Sequence, residues 1–565
     1  VSKIPIPSNW LLAGVLAAML LGGVAARFAA AETTPAQTVA EAESAYADLN
    51  DAYGALSTID SGLFSSYRGK DRTAWDRSYR ESRRQFAEKL NVSPSTGLSA
   101  GDARAIEVMR RHLKDYPEQF KGEMSLPGVC KDAGRKDVTF DQLRGALYNC
   151  FTELGNSLEF EGQRVTRVSA LGMLGELNEE ERRKKLFYAF VPLWQAVNGN
   201  DEADSPYRRL IPLAVSAAAS SGRGTEIDQA ARTVGSSPVK IERWLEQILQ
   251  TWRQVDDSRP VEPWNYLYRS GEAERLLSAA VPKESLLAVN ERYYRDLGAD
   301  LKQMGILYDL DPRPGKAPLA YTDYVTRGRM VDGRWRPTVV RVSASYGTGG
   351  LGSVAELVHE NGHAVHMMAM HVRPAFMDLG DTLFVEAFAD VPSWSTSEPE
   401  WQKKYLGVAA PDAASLRGLL AGVMLDAAWA LFECRMLRSR AADPNAVWTE
   451  ITSRYLHIVP HPELAWWALR VQLVHVPGYM VNYGLGSVVT ADIRQRTREA
   501  RGPFTTGNPQ WFAWTSEHLL KFGEEIETAE LLKQFLGRPV SPRALRGQIR
   551  RIAVKERAGE AASSK

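Results

Sequence analysis

Along most of the chain, apolar residues recur at three- and four-residue spacing with charged residues between them. This pattern predicts helices over residues 76–90, 103–113, 179–196, 241–255 and 285–304, each with one face for a core and one for water. The charge run at 179–185 reads as the solvated face of such a helix. Turn-forming residues interrupt the pattern at 197–205 and 309–316. One segment departs from it. Residues 338–345 are rich in Val, Ser and Thr and follow the turn pair Asp332-Gly333, which predicts a strand in a hairpin with 322–330. A glycine-rich turn comes next. Ser353, with Glu356 three residues on, has the spacing of a capping box and predicts a helix starting there. The fold class expected is mostly α, with a small β-sheet beside that helix.

Composition narrows the function classes. The 565 residues include 69 basic and 68 acidic side chains, so no excess charge draws the chain to nucleic acid. Lys3, the apolar run 10–26 and Ala29-Ala30-Ala31 have the layout of a signal peptide ending near residue 31, and the expected location is periplasmic or secreted. Residues 10–26 serving as a membrane anchor is the alternative; no other membrane contact is expected. Of three cysteines, Cys130 and Cys150 can pair across a short loop, whereas Cys434 lies in an apolar helical stretch and suits a buried thiol. The division expected is 1–31 signal, 32–155 N-terminal helical region, 156–555 peptidase region with its core at 309–500, and 556–565 tail, in a monomer.

The candidate chemistry lies at 359–363, His-Glu-Asn-Gly-His. On a helix, positions i and i+4 share a face, so His359 and His363 can converge on one zinc ion while Glu360 reaches the attacking water. A catalytic zinc takes a third protein ligand. His366 points away from the shared face, and His371 is three turns from His359. Glu386 lies on a second apolar helix predicted at 382–394, with Asp390 one turn on. Two carboxylates buried on one apolar face need partners. Zinc satisfies Glu386, and the far nitrogen of a ligand histidine satisfies Asp390.

These residues resemble the gluzincin peptidases, more narrowly the group of thimet oligopeptidase and neurolysin, angiotensin-converting enzyme and Taq-type carboxypeptidase. His-Glu-Asn-Gly-His-Ala-Val-His at 359–366 is similar to the thimet family's HEFGHxxH, and Phe384-Val-Glu-Ala-Phe388 to its FVEAPSQ. The Glu386-x-x-x-Asp390 spacing is closer to the converting enzyme. Asp311 to Lys316 is similar to the thimet family's PREGK stretch, and residues 535–542 to its FLGREPN. The segment from His475 through Tyr479 and Tyr483 resembles the tyrosine-bearing segment of the Taq-type enzymes. The chain departs where the thimet family has a further Tyr, here Gly486, and where the converting enzyme has a Lys, here Leu473.

The resemblance implies a two-lobed helical peptidase with a deep channel, one zinc per chain and short peptide substrates, of oligopeptidase or peptidyl-dipeptidase type. Glu360 is the expected base. His475 and either Tyr479 or Tyr483, with Tyr483 favoured, are the expected oxyanion donors. The strand around Ala344 is expected to offer a free edge to the substrate backbone. The alternative is a catalytically weak or inactive zinc-containing protein that binds peptides.

Overall fold

The computed structural model describes residues 34–552 apart from 62–69, 95, 121–128, 257–258, 314–315, 317–319 and 440. The signal segment, the alternative anchor at 10–26 and the tail from 556 lie outside the described residues. Helices dominate, as the periodicity predicts. Two of the predicted helices are each split. Residues 180–198 form Glu180–Tyr188 and Val191–Asn198, because Pro192 carries no N–H and is tolerated only in a first turn. The helix Leu286–Asp296 stops ahead of Gly298, whose φ is +86°, and a short helix Leu301–Met304 follows under the Asp300 cap.

Three N-terminal helices, Pro35–Asp60, Lys70–Asn91 and Ala100–His112, share a small core of their own that includes Leu49, Leu56, Phe86 and Met109. Ala375 and Phe376 join it from the body of the protein. From residue 133 onward one continuous core runs through the chain, and it includes the helix Phe140–Gly155. Cys150 of that helix is joined to Cys130 by a disulfide, and Cys434 is a buried free thiol. The helix Asp412–Arg438 is long and apolar enough to cross a membrane, yet Trp429, Leu431 and Phe432 bury it in the core.

Leu158–Phe160 (β1) and Gln163–Val165 (β2) form a small hairpin. The sheet that matters for the site comprises Leu307–Asp309 (β3), Tyr321–Thr326 (β4) and Val339–Ser343 (β7), in the order β3-β7-β4. β4 runs antiparallel to β7, as the hairpin pattern predicts. Its tip folds as a separate ribbon, Arg329–Val331 (β5) with Arg334–Arg336 (β6), closed through Asp332 and Gly333, both at positive φ. β3 is added parallel on the far side of β7. The first N-terminal helix is latched to this sheet. Fully buried Arg341 donates to Ser57 Oγ at 2.8 Å and to Asp323 Oδ2 at 3.2 Å.

The strand order corrects one expectation. Ala344, just past the end of β7, has no free edge: its N–H bonds Asp309 O at 2.9 Å and its carbonyl accepts from Lys316 Nζ. A central strand is paired on both sides, so the free edges belong to β3 and β4, and of these two β4 is the one that borders the site. A second correction concerns the helix that carries His359. It spans Leu351–Ala369 and starts two residues before Ser353, with Gly350 at the N-cap. The Ser353 hydroxyl instead donates to Gly349 O at 3.1 Å. The first turn's Gly352 N–H is satisfied from outside, by Glu274 Oε2 at 2.7 Å.

Candidate metal centre

Helix Leu351–Ala369 puts His359 and His363 on one face, with their Nε2 atoms 3.1 Å apart. The third group arrives from helix Thr382–Ser393. The two helices meet where Gly362 faces Ala389: a β-carbon on Gly362 would stand 2.7 Å from Ala389 Cα. Only a glycine lets the backbones come this close. That contact brings Glu386 Oε2 to 3.4 Å from His359 Nε2.

All three ligand atoms lie within 4.8 Å of one another. Two donors bound to one zinc at tetrahedral angles sit ~3.3 Å apart, so the spacing fits the ion. The donor chemistry fits as well. Burial together with neighbouring His359 pushes His363 down to about 3, which leaves its ring neutral with a free lone pair. Burial works against a charge on His359, but Asp390 and Glu386 together hold it well above the usual histidine range, so an ion at Nε2 would take the place of a proton there. Asp390 Oδ1 lies 2.8 Å from His359 Nδ1 and so fixes the tautomer that presents Nε2 to the ion.

Glu360, 5 % exposed, sits beside the cluster. Burial pushes its carboxyl up to about 7, with His359 and a hydrogen bond from Thr322 pulling the other way. The other two histidines of this stretch stand apart. His366 packs against Phe384 and Phe388 with ring centroids 5.4 Å away, and His371 stacks on Trp335 at 3.9 Å.

A cavity of about 490 Å³ opens over the cluster. Tyr321 and Thr322 of β4 and Ala320 just before it border it, with Asp426 and Tyr483 also in its wall. The rings of Tyr479 and Tyr483 meet edge to face at 5.6 Å. Burial raises both hydroxyls far above their ordinary pKa, so each is a proton donor at neutral pH. His475 is not in the cavity wall. It is half-buried, 5.0 Å from the ring of Tyr148, and burial together with Arg144 lowers its pKa. Thr322 and Asp426 carry no mark in the sequence pattern. The first sits in a strand that the hairpin predicts, the second in a buried helix, where its carboxylate pairs with Arg470.

No protein-family model matches the chain, and no curated protein matches it in sequence. Its fold is similar to several solved structures. One is the M32 carboxypeptidase from Deinococcus radiodurans R1, at 13% identity over 91% of this chain and 99% of that one, TM-score 0.57. Another is PZ peptidase A with an inhibitor, at 14% identity over 92% and 96%, TM-score 0.58. A third is Trypanosoma cruzi metallocarboxypeptidase 1, at 15% identity over 92% and 99%, TM-score 0.53. The shared feature is a mostly helical peptidase fold.

Proposed function

We propose that this chain is a zinc-dependent metallopeptidase that hydrolyses short, extended peptides. The observation that carries the reading is the convergence of His359, His363 and Glu386 within 4.8 Å, with the buried carboxyl of Glu360 beside them. The fold likeness to solved peptidases supports it.

His359, His363 and Glu386 would hold the ion, with Asp390 behind His359. Zinc supplies Lewis-acid polarisation of a carbonyl and acidifies water. The protein's own groups do the rest. A carboxyl with a pKa of about 7 is poised to take a proton and release it again, so Glu360 removes a proton from the attacking water and hands it to the leaving amine. Thr322 orients that carboxylate. The substrate backbone lies along the outer edge of β4 at Ala320–Thr322, pairing as an added strand. Tyr483, whose hydroxyl stays protonated, donates to the oxyanion as it develops. His475 stands outside the cavity, so the donor role falls to Tyr483. The disulfide between Cys130 and Cys150 supports an exported protein, since such bonds persist in oxidising compartments.

The test is hydrolysis of a mixed library of quenched fluorescent peptides. Cleavage should stop with a chelator, return with zinc, and be nearly absent in Glu360→Gln at full zinc content. A zinc-loaded protein that cleaves no peptide, or a Glu360→Gln variant with near-normal turnover, would sink the proposal.

A further inference from the structure

Tyr483 of the cavity wall and Tyr479, packed against its ring, belong to one tight turn and the helix that follows it. Residues 476–480 form the turn, after the short helix Gln472–His475, and helix Val481–Arg501 begins directly after. Pro477 has no N–H to give. Gly478 adopts φ +100°, a conformation that disfavours side chains. A β-carbon there would also press on Glu226 Cβ and Leu437 Cδ1, each at 3.1 Å. The turn is therefore wedged between helices Glu226–Thr233 and Asp412–Arg438.

What ties it down is a single side chain. Glu433, on helix Asp412–Arg438, is 1 % exposed. Its Oε1 accepts the Gly478 N–H at 2.6 Å and its Oε2 accepts the Met480 N–H at 2.8 Å. Among the described residues it has no cationic partner. A buried carboxyl without a counter-ion is costly to ionise, and burial pushes this one up to about 8 against the pull of the two backbone N–H groups. Here both oxygens are used on the backbone of one turn, and the residue between the two bonded N–H groups is Tyr479. Tyr483 follows three residues after the second bond, in the first turn of the helix, and reaches the cavity wall.

We propose that Glu433 is a positioning residue for peptide hydrolysis: it clamps the turn at Gly478 and Met480 and thereby holds Tyr483, with Tyr479 packed against it, in the wall of the cavity over the metal centre. The inference rests on the peptidase reading above. Glu433 touches neither the cavity nor the ligands, so it acts through the tyrosines alone.

The experiment is a double-mutant cycle with Glu433→Gln and Tyr483→Phe in the zinc-loaded enzyme. Gln keeps the size but turns an N–H₂ group toward one of the two backbone N–H groups, so one hydrogen bond is lost. Turnover should fall about tenfold or more with a smaller change in KM and unchanged zinc content. In the Tyr483→Phe background the same substitution should cost much less, because the hydroxyl it positions is already gone. Met436→Ala, a buried change on the same helix, controls for simple loss of stability and should act equally in both backgrounds. Equal factors for Glu433→Gln in the two backgrounds, or wild-type kinetics, would overturn the proposal. Where the Gln variant is unstable, Glu433→Asp replaces it, one methylene too short to hold both N–H groups. Amide hydrogen exchange over 475–483 reads the clamp without activity. It should quicken at Gly478 and Met480 in the variant, and unchanged exchange would overturn the clamp itself. A wild-type protein that cleaves nothing would count against the peptidase reading, while exchange still decides whether the clamp exists.

Discussion

The hydroxyl of Thr322 lies 2.7 Å from Glu360 Oε2 and 2.9 Å from the backbone carbonyl of the same residue. One hydroxyl proton cannot serve both acceptors at once. With Glu360 ionised, Thr322 donates to the carboxylate. With Glu360 protonated, the carboxyl donates to Thr322 Oγ1 and the hydroxyl turns to the carbonyl. The threonine can therefore follow the proton through the cycle without moving a heavy atom.

Thr322→Val removes this hydroxyl and keeps the shape. A hydrogen bond to a charged group contributes ~1.5–3 kcal/mol, so turnover should fall roughly ten- to a hundredfold. Zinc content should stay as in the wild type. Steady-state kinetics with metal analysis checks both, and unchanged turnover would remove Thr322 from the proton path.

Metal retention separates the ligands from their support. Glu386→Ala and His363→Ala should lose the ion after dialysis, since each removes one of three donors. Asp390→Asn should keep it with an affinity about 10–100-fold weaker, because an amide orients His359 less firmly than a carboxylate does. Competition against a chelating dye measures the difference. Full zinc occupancy in Glu386→Ala would exclude that residue as the third ligand.

The tyrosines divide by position. Tyr483→Phe should cost on the order of 10²-fold in turnover with little change in substrate affinity, the mark of a donor used in the transition state. Tyr479, held between the two bonded N–H groups of the turn, should show a weaker effect, chiefly on KM, when changed to Phe. If both variants behave as wild type, the oxyanion donor lies elsewhere.

The site was legible in the sequence where one helix period defines it. His359, Glu360 and His363 follow from i, i+4 geometry, and Glu386 with Asp390 from the same spacing on an apolar helix. The residues that depend on which element passes which were not legible. Thr322 reaches Glu360 only because β4 passes beside the helix that carries it, and Glu433 reaches the turn only because two helices wedge it. Ala344 was misplaced for the same reason. Its partner strand β3 is three residues long, too short to show a period, and it ends at the start of a stretch that reads as a break. The helix start at Ser353 was two residues late because Glu274, 79 positions ahead of Ser353 in the chain, satisfies the first turn in place of a local cap.

The contact between Gly362 and Ala389 has a thermodynamic consequence. Two candidate ligands come from one helix and the third from its neighbour, so the complete donor set exists only when those helices are packed. An ion that binds the folded chain and not the unfolded one adds RT ln(1 + [ion]/Kd) to stability, about 2.7 kcal/mol at a hundredfold excess over Kd. Loading the ion and seating one helix on the other are then a single equilibrium read from two ends. Resistance to unfolding becomes a measure of how closely two backbones approach at one glycine.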